Sequence, residues 1–541
     1  MGLEENERRT FDYFLSCSAP RLGGTFDDNF WTGQVLQVAK DEPVILDTLL
    51  AISRLYEYPQ CLSSSQADAQ RDQMLLPEES VGTSALGTGR PEAYKRSSSA
   101  DDLGPVLSQQ HMLAVKHYNR AISRLVEDVA SGRATLILAL MSCVLFICVE
   151  LLRDNMFAAL NLFTKGCQIL RQIEPSSASV DRGLYTPLKL AMARFGVLAA
   201  MYGHPDLLEG RPMDGEVSET ARLENMSDAR SALYVVILDS LEFHRAAIPW
   251  KSLLMRQLTQ EHATPDGISS LDENDEVLPS FSSQSPSSSS TTGVETPTTT
   301  TSTPDTMQYK VSPSAFRPQC LTAEMPTDLD APEVLQRLRT HYEARLLAWC
   351  HAMQNIEAKS DAMVSILMMY YLSCIILMAS RLSVYESIHD DYTHHYEEIV
   401  RFAEIYYKSR SEQPNFTFEP GAVPILWMVA TKCRVPSLRR KALSLIKKAP
   451  LKECMWARDS VVDFASRVIA IEEGLSSPSN YSGSHESSTP PSDGPLPPES
   501  SRIHDAEILT DVQSGQAGMR VTRYSNGLNG SWIRSVQFYP I

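Results

Sequence analysis

Between Asp361 and Arg381 the chain runs for nineteen residues, AMVSILMMYYLSCIILMAS, without a charge. Such a run has two physical solutions. It is a helix that crosses a membrane, which takes about 20 predominantly apolar residues, or a helix buried on every side in a protein built of helices. Ser365, Tyr370, Tyr371, Ser373 and Cys374 interrupt the run, and a basic flank is missing on one side. The reading is therefore a buried central helix with no membrane role. The sixteen uncharged residues before Glu150, ATLILALMSCVLFICV, are read the same way.

Helical periodicity dominates the rest. Asp41 and Pro43 start the run VILDTLLAISRLYEY, and Val115, Tyr118, Ile122, Leu125 and Val129 step by three and four, predicting one core-facing apolar stripe. Gly132 ends that helix, and the buried helix 134–152 is expected to return antiparallel to it. Further helices are predicted at 155–172 and 187–202, a pair across 231–260, and several over 332–410. Strand-like alternation is confined to the tail, at 506–512, 519–524 and 531–539, where Asn526-Gly527 and Asn529-Gly530 signal turns. Three segments lose all periodicity, the longest centred on SSQSPSSSSTTGVETPTTTTSTP; such composition does not offset ordering entropy and predicts disorder.

The expected fold class is all-α, a two-lobed multi-helix domain with Ser/Thr/Pro-rich linkers and a small C-terminal β tail. Its parts are N-terminal helices at 1–62, a linker at 63–105, a first lobe at 106–263 and a disordered acidic linker at 264–315. A second lobe follows at 316–475, then a linker at 476–500 and a hairpin-like tail at 501–541. Two lobes suit 541 residues, which exceed one typical core.

Lys+Arg 49 against Asp+Glu 66 gives a net charge of −17, which disfavours general attachment to phosphate backbones. The first residues, MGLEENERRTFDYF, lack an apolar signal core, and ten cysteines without framework spacing suit a reducing compartment.

The most uneven stretch is FEPGAVPILWMVATKCRVPSLRRKALSLIKKAPLKECMW, Phe418 to Trp456. It reads as helix, break, helix, with Pro436 where a first helical turn tolerates proline. Leu438, Ala442, Leu445 and Ile446 face a core, while Arg439, Arg440 and Lys441 crowd the helix start, where cations oppose the helix dipole. Something else must hold them. For the basic run Lys432, Arg434, Arg439, Arg440, Lys441, Lys447, Lys448 and Lys452, the expectation is pairing with acids of the opposite lobe; a nuclear import signal is the alternative.

This stretch resembles the C-terminal signature of the regulatory region of fungal zinc-cluster (Zn2Cys6) transcription factors. The matching residues are Val423, Pro424, Leu426, Ala430, Lys432, Cys433, Arg434, Pro436, Arg439, Arg440, Ala442, Leu443 and Trp456. Cys454 departs from the pattern, since many relatives carry glycine there. Phe11-Asp12-Tyr13-Phe14 with Phe30-Trp31, and Tyr118-Asn119-Arg120-Ala121-Ile122 with Phe146, Glu150, Leu151 and Leu152, also resemble that region, so the likeness spans most of 10–475. The family's DNA-reading cluster, two C-x2-C-x6-C halves, is missing. Cys17, Cys61, Cys143, Cys148, Cys167, Cys320, Cys350, Cys374, Cys433 and Cys454 form no C-x2-C pair. Either the protein works without its own DNA reader or the sequence is a truncated gene product.

Other constellations are weaker. His389, Asp390, Asp391, His394, His395, Glu397 and Glu398 contain metal-ligand types but lack H-E-x-x-H order, and the expectation is a solvated helix face opposite Tyr385, Ile388, Tyr392, Tyr396 and Ile399. Gly82-TSAL-Gly87 has P-loop glycine spacing, yet Thr88 and Gly89 replace the phosphate-holding lysine and its hydroxyl neighbour. Nothing points to catalysis, so no enzyme, cofactor or metal is expected. Leu271, Asp272, Glu273, Asp275, Glu276, Leu278 and Phe281 alternate acids with apolar residues, the composition of an activation segment, with an ordinary acidic loop as the alternative.

The resemblance implies a nuclear transcriptional regulator acting through protein–protein contacts. Its expected partners are coactivators and a second copy or a DNA-binding paralogue, with a small-molecule effector between the lobes. Secondary-metabolite or nutrient-use genes are the expected targets. The alternative is a cytosolic helical scaffold or adaptor without a promoter role; a membrane protein using 362–380 stands third.

Overall fold

The computed structural model describes residues 4–26, 29–59, 103–173, 182–201, 223–260, 331–356, 360–409, 414–474, 496–510, 517–526 and 532–540. The activation-segment residues Leu271 to Phe281, all of 264–315 and almost all of the linkers 63–105 and 476–500 lie outside them.

The described chain is mostly helical. Helices α1 (Glu5–Tyr13), α2 (Ala19–Leu22), α3 (Val35–Asp41) and α4 (Pro43–Glu57) are joined by π-helical turns at Phe14–Ser18 and Phe30–Gln34. Then come α5 (Leu103–Ala130), α6 (Leu136–Leu152), α7 (Met156–Ile173), α8 (Arg182–Met201) and α9 (Met226–Gln260). The next helices are α10 (Glu333–Met353), α11 (Asp361–Arg381), α12 (Thr393–Lys408), α13 (Val423–Lys432), α14 (Pro436–Ile446) and α15 (Arg458–Glu472).

The two uncharged runs became α6 and α11. Thr135 caps α6 by accepting from the Leu138 N–H at 3.1 Å, and Ser360 caps α11 by accepting from Ala362 at 3.2 Å. α11 is the one described helix long and apolar enough to cross a membrane, and 83% of its apolar window is buried inside the protein. One contiguous apolar cluster runs from Phe14 to Ile469 and includes both helices. Its N-terminal part meets the signature stretch directly: the Trp31 and Phe418 rings pack edge to face at 5.5 Å, and Tyr56 Oη donates to the Phe416 carbonyl.

Three differences from the sequence reading have local causes. The pair of helices expected across 231–260 is one 35-residue helix, α9, with Pro249 inside it. Proline removes one ladder bond, and packing on both sides of the break keeps the axis continuous: Trp349 Nε1 donates to the Ala229 carbonyl at 2.8 Å near one end, and Met255 packs on Trp532 near the other. α8 begins five residues before Pro187. On α5 the predicted stripe is only partly inward. Tyr118 is buried, but Ile122 and Val129 are exposed, and the core side is Ala114, His117, Tyr118 and Ala121. Asp47 of α4 turns the helix this way. It is 1% exposed and accepts from Arg120 Nε at 2.7 Å and from Arg124, with His117 Nδ1 at 3.5 Å. Burial alone would raise its pKa, but the bonds from His117 and Arg120 hold it below the usual carboxylate value.

The tail forms a three-stranded antiparallel sheet, β4 (Asp505–Thr510), β5 (Ala517–Asn526) and β6 (Trp532–Pro540), with β5 central. Ile503, Met519 and Val521 seat it on Val468 of α15. A second, unexpected sheet ties together the two ends of the signature stretch. β1 (Phe416–Thr417) pairs in parallel with β2 (Lys452–Glu453), which pairs antiparallel with β3 (Trp456–Ala457). Two residues, Cys454 and Met455, close this last hairpin, and Cys454 has φ +52°. Two-residue hairpins need positive φ at the first loop position, which glycine supplies without strain. Cys454→Gly is therefore expected to hold the folding stability within about 1 kcal/mol of the parent, relief of strain offsetting the lost thiol contact. Cys454→Val, branched at Cβ, should lose roughly 2 kcal/mol or more by thermal denaturation.

Candidate functional site

The signature residues converge on a buried ionic lattice rather than on solvent. Pro424 lies in the first turn of α13 and Pro436 opens α14, and both fix helix starts. The extended link Cys433–Val435 turns the Arg434 side chain inward, where it is fully enclosed. Its guanidinium donates to Glu472 at 2.9 Å, Glu386 at 3.1 Å and the carbonyls of Lys432 and Ile503. Arg439, 0% exposed, pairs with the other Glu472 oxygen at 2.7 Å and donates Nε to the Ala430 carbonyl at 2.9 Å, tying α14 to the end of α13. Lys432 Nζ reaches Glu386 at 3.0 Å and the His504 carbonyl at 3.2 Å. Arg440 pairs with Glu473 and Lys441 with Glu404.

The cations that oppose the α14 dipole are thus held by acids. Contrary to the expectation, those acids are not from the opposite lobe: Glu386, Glu404, Glu472 and Glu473 all lie within 316–475. Chain proximity explains this, since α15 and the turn before α12 pack against α14 and α13. Lys452 alone reaches across, to Asp154 and to the Leu151 carbonyl at 2.7 Å. Burial would raise the carboxyl pKa of Glu472, yet Arg434 and Arg439 hold it below its usual value. Glu386 is likewise driven well below, by Lys432, Arg434 and His389 against burial. Cys433 is inert: burial pushes its thiol up to about 11. Trp456 packs on Trp427 at 5.5 Å and closes the far side.

The histidine-rich run is not a solvated helix face. Its first half is a 3₁₀ helix, Glu386–Tyr392, in which residues three apart stack, so Glu386, His389 and Tyr392 are all buried. His389 Nδ1 meets the Tyr396 hydroxyl at 2.8 Å. Asp390 instead takes a bidentate bond from Arg502 at 2.8 and 2.6 Å, and His394 with Glu397 stays exposed. These residues point in different directions, and no three His, Cys, Asp or Glu among the described residues gather around one point.

The tail completes the lattice. The Glu499 carboxylate accepts from the Glu386 and Ser387 N–H groups at 2.6 and 2.9 Å, capping the 3₁₀ helix, and the Ile503 N–H donates to Glu472 at 2.8 Å. His504 accepts from the Tyr524 N–H at Nδ1 and donates from Nε2 to the Val384 carbonyl, both at 3.3 Å, which fixes a neutral tautomer. Glu386, Glu472, Glu499 and Arg502 were missed by sequence reasoning. Single charges at scattered positions carry no local pattern, although the unexplained Arg cluster already demanded acids.

A second feature begins at Glu419, next to Phe418. Gly23, Phe26, Phe30 and Trp31 with α8 and α9 line a largely apolar cavity of ≈ 520 Å³ whose charged residues are Arg194, Arg230, Asp228 and Glu419. Glu419 is 8% exposed; Arg194 Nε contacts it at 2.7 Å and Arg230 lies at 3.8 Å, with its guanidinium 4.7 Å over the Phe26 ring. Two guanidiniums stand against two carboxylates, so the lining is balanced in charge, and its polar grip lies where Arg194 and Arg230 meet Glu419. The cavity can hold an apolar molecule whose polar group reaches Arg194 and Arg230.

The other resembling residues also meet. Tyr118 and Phe146 pack edge to face at 5.1 Å, and the Tyr118 phenol is held protonated by burial and by Glu150. Comparison of the chain with protein-family models, with curated proteins and with solved structures gives no match.

Removing one member of a buried pair strands the other. Glu472→Ala leaves Arg434 short of one partner and Arg439 without its carboxylate, and is expected to destabilise by about 3–5 kcal/mol in chemical denaturation. Glu473→Ala, whose Arg440 partner is partly exposed, should cost under about 1 kcal/mol.

Acid acts on the same region. Burial lowers the pKa of His504 to about 4, His395 to about 4 and His244 to about 3, against 6.5 in the unfolded chain. Between pH 6.5 and 4 the unfolded state binds protons that the folded state refuses, so stability is full above 6.5 and falls as pH drops. Melting temperatures from pH 7.5 to 4.5 should decline from near pH 6.5, and His504→Gln should remove roughly one proton from that slope. Below 4.5 the Glu386 and Glu472 contributions are lost as well.

Proposed function

We propose that this chain is a regulatory region of the fungal zinc-cluster transcription-factor type, acting in the nucleus through protein–protein contacts and without bond-making chemistry. The observation that carries the reading is Cys454. Where the resembled family carries glycine, this chain keeps the backbone shape that favours glycine while holding a different residue. The lattice of Lys432, Arg434, Arg439 and Glu472 adds support, because it gives the signature's basic residues a structural role that composition alone would not require.

In this reading the segments 106–263 and 316–475 form two lobes around a shared core. An effector with an apolar body and a carboxylate enters the cavity that the N-terminal segment, α8 and α9 form with Glu419, and competes with Glu419 for Arg194 and Arg230. Displaced Glu419 pulls on Phe418 and the start of α13, and so reaches the lattice. Leu271 to Phe281 serve as the segment a coactivator groove receives. DNA is reached through a paralogue that carries a zinc cluster, and the genes served are secondary-metabolite or nutrient-use genes. The scaffold alternative draws on the absence of any C-x2-C pair in the 541 residues.

Fusing the chain to a foreign DNA-binding module tests the reading. Reporter output is expected to rise at least fivefold and to fall when residues 264–315 are removed, with fluorescent fusions concentrated in nuclei. A silent reporter in both forms together with a diffuse cytosolic signal would leave the scaffold.

A further inference from the structure

The most regular apolar periodicity of α5 faces solvent. Met112 is 72% exposed, Val126 62% and Val129 58%; Ile122 is also exposed and Val115 half-buried. Large apolar side chains at this density on one exposed helix face mark a contact surface. Their positions step alternately by three and four, 112, 115, 119, 122, 126, 129, which is the seven-residue repeat of a two-helix seam. In that register Met112, Asn119 and Val126 occupy a, and Val115, Ile122 and Val129 occupy d. A single asparagine at a is the residue type that sets register and partner number in such seams.

We propose that this face binds the same face of a second copy of the chain, antiparallel, about a two-fold axis beside Asn119. The seam is self-complementary in that orientation. With Asn119 opposite Ile122 of the other copy, Val115 falls opposite Val126 and Met112 opposite Val129, so every a position meets a d position and none is left over. The two Asn119 amides then stand about 4.5 Å apart along the helix axes, within reach of each other across the two-fold, so neither is stranded in an apolar seam. Charge agrees as well. Lys116 and Glu127 are both exposed on the same flank of α5. The antiparallel register brings Lys116 of one copy within about 3 Å of the height of Glu127 in the other, twice over by symmetry. A parallel, in-register pairing brings neither pair together. The fit of the face to itself is what selects a second copy over an unrelated protein, whose surface would have no reason to match a two-fold.

The surface stands apart from the cavity and from the signature lattice, and the inference does not rest on any role at promoters. α5 is anchored from behind by Asp47 through Arg120 and Arg124, so the seam is presented on a rigid helix and costs little ordering to dock.

Sedimentation of the full-length chain at about 10 μM tests this. The parent is expected to sediment as a dimer, at twice 60.2 kDa. Val126→Glu should sediment as a monomer with unchanged helical circular dichroism, because the side chain it replaces lies on the surface of each copy. Lys116→Glu should weaken the dimer at least tenfold, and adding Glu127→Lys to it should restore parental affinity. A parent that stays monomeric, or a Val126→Glu variant as dimeric as the parent, overturns the proposal. So does a charge reversal that fails to restore affinity, since the register requires that pair.

Discussion

Glu472 is the carboxylate on which the C-terminal half of this molecule depends. Both of its oxygens are engaged by fully buried guanidiniums, Arg434 on one side and Arg439 on the other, and a backbone N–H from the tail completes the set. Desolvating three such charges costs several kcal/mol per ion, which close ion-pair geometry and added hydrogen bonds must offset. That requirement acts as a positional constraint. α13, α14 and α15, the 3₁₀ helix carrying Glu386 and the strand leading into the tail sheet must all be in place together, or one of the charges is left stranded.

Much of this was legible in the residues and some was not. α6 and α11 could be read because an uncharged run longer than a strand has few places to go, and the three tail strands because alternation and Asn-Gly turns are local signals. The inward arginines were legible as a problem: cations at a helix start need acids. Which acids was not legible, since Glu386, Glu472 and Glu473 are ordinary residues until the chain folds. The histidine run was misread because a 3₁₀ turn stacks every third residue, and nothing in its composition distinguishes it from α-helix. The α5 stripe was misread for a different reason. Periodicity says that a face is apolar but not which neighbour covers it, and Asp47 turns Ile122 and Val129 outward by claiming Arg120, Arg124 and His117.

Lattice and cavity are neighbours along one strip of backbone. Phe418 packs on Trp31, Glu419 holds the two arginines of the cavity wall, and Val423 starts α13 with its N–H bound to Glu453 at 2.9 Å. Gly421 leaves room for this arrangement, since a Cβ there would sit 2.3 Å from the Glu453 carboxyl group. Any displacement of Glu419 therefore has only a few residues in which to be absorbed before it reaches a helix whose far end is clamped by Arg439. Short, tightly bonded connections of this kind transmit force and do not dissipate it.

The apolar cluster that passes without interruption from Phe14 to Ile469 sets how the protein can be dissected. A cut within the described helices between those residues exposes an oily wound on both pieces, so neither half is a miniature of the whole. Truncation through those helices will report insolubility where it seeks localisation of activity, and single side-chain exchanges on the intact polypeptide are the finer scalpel.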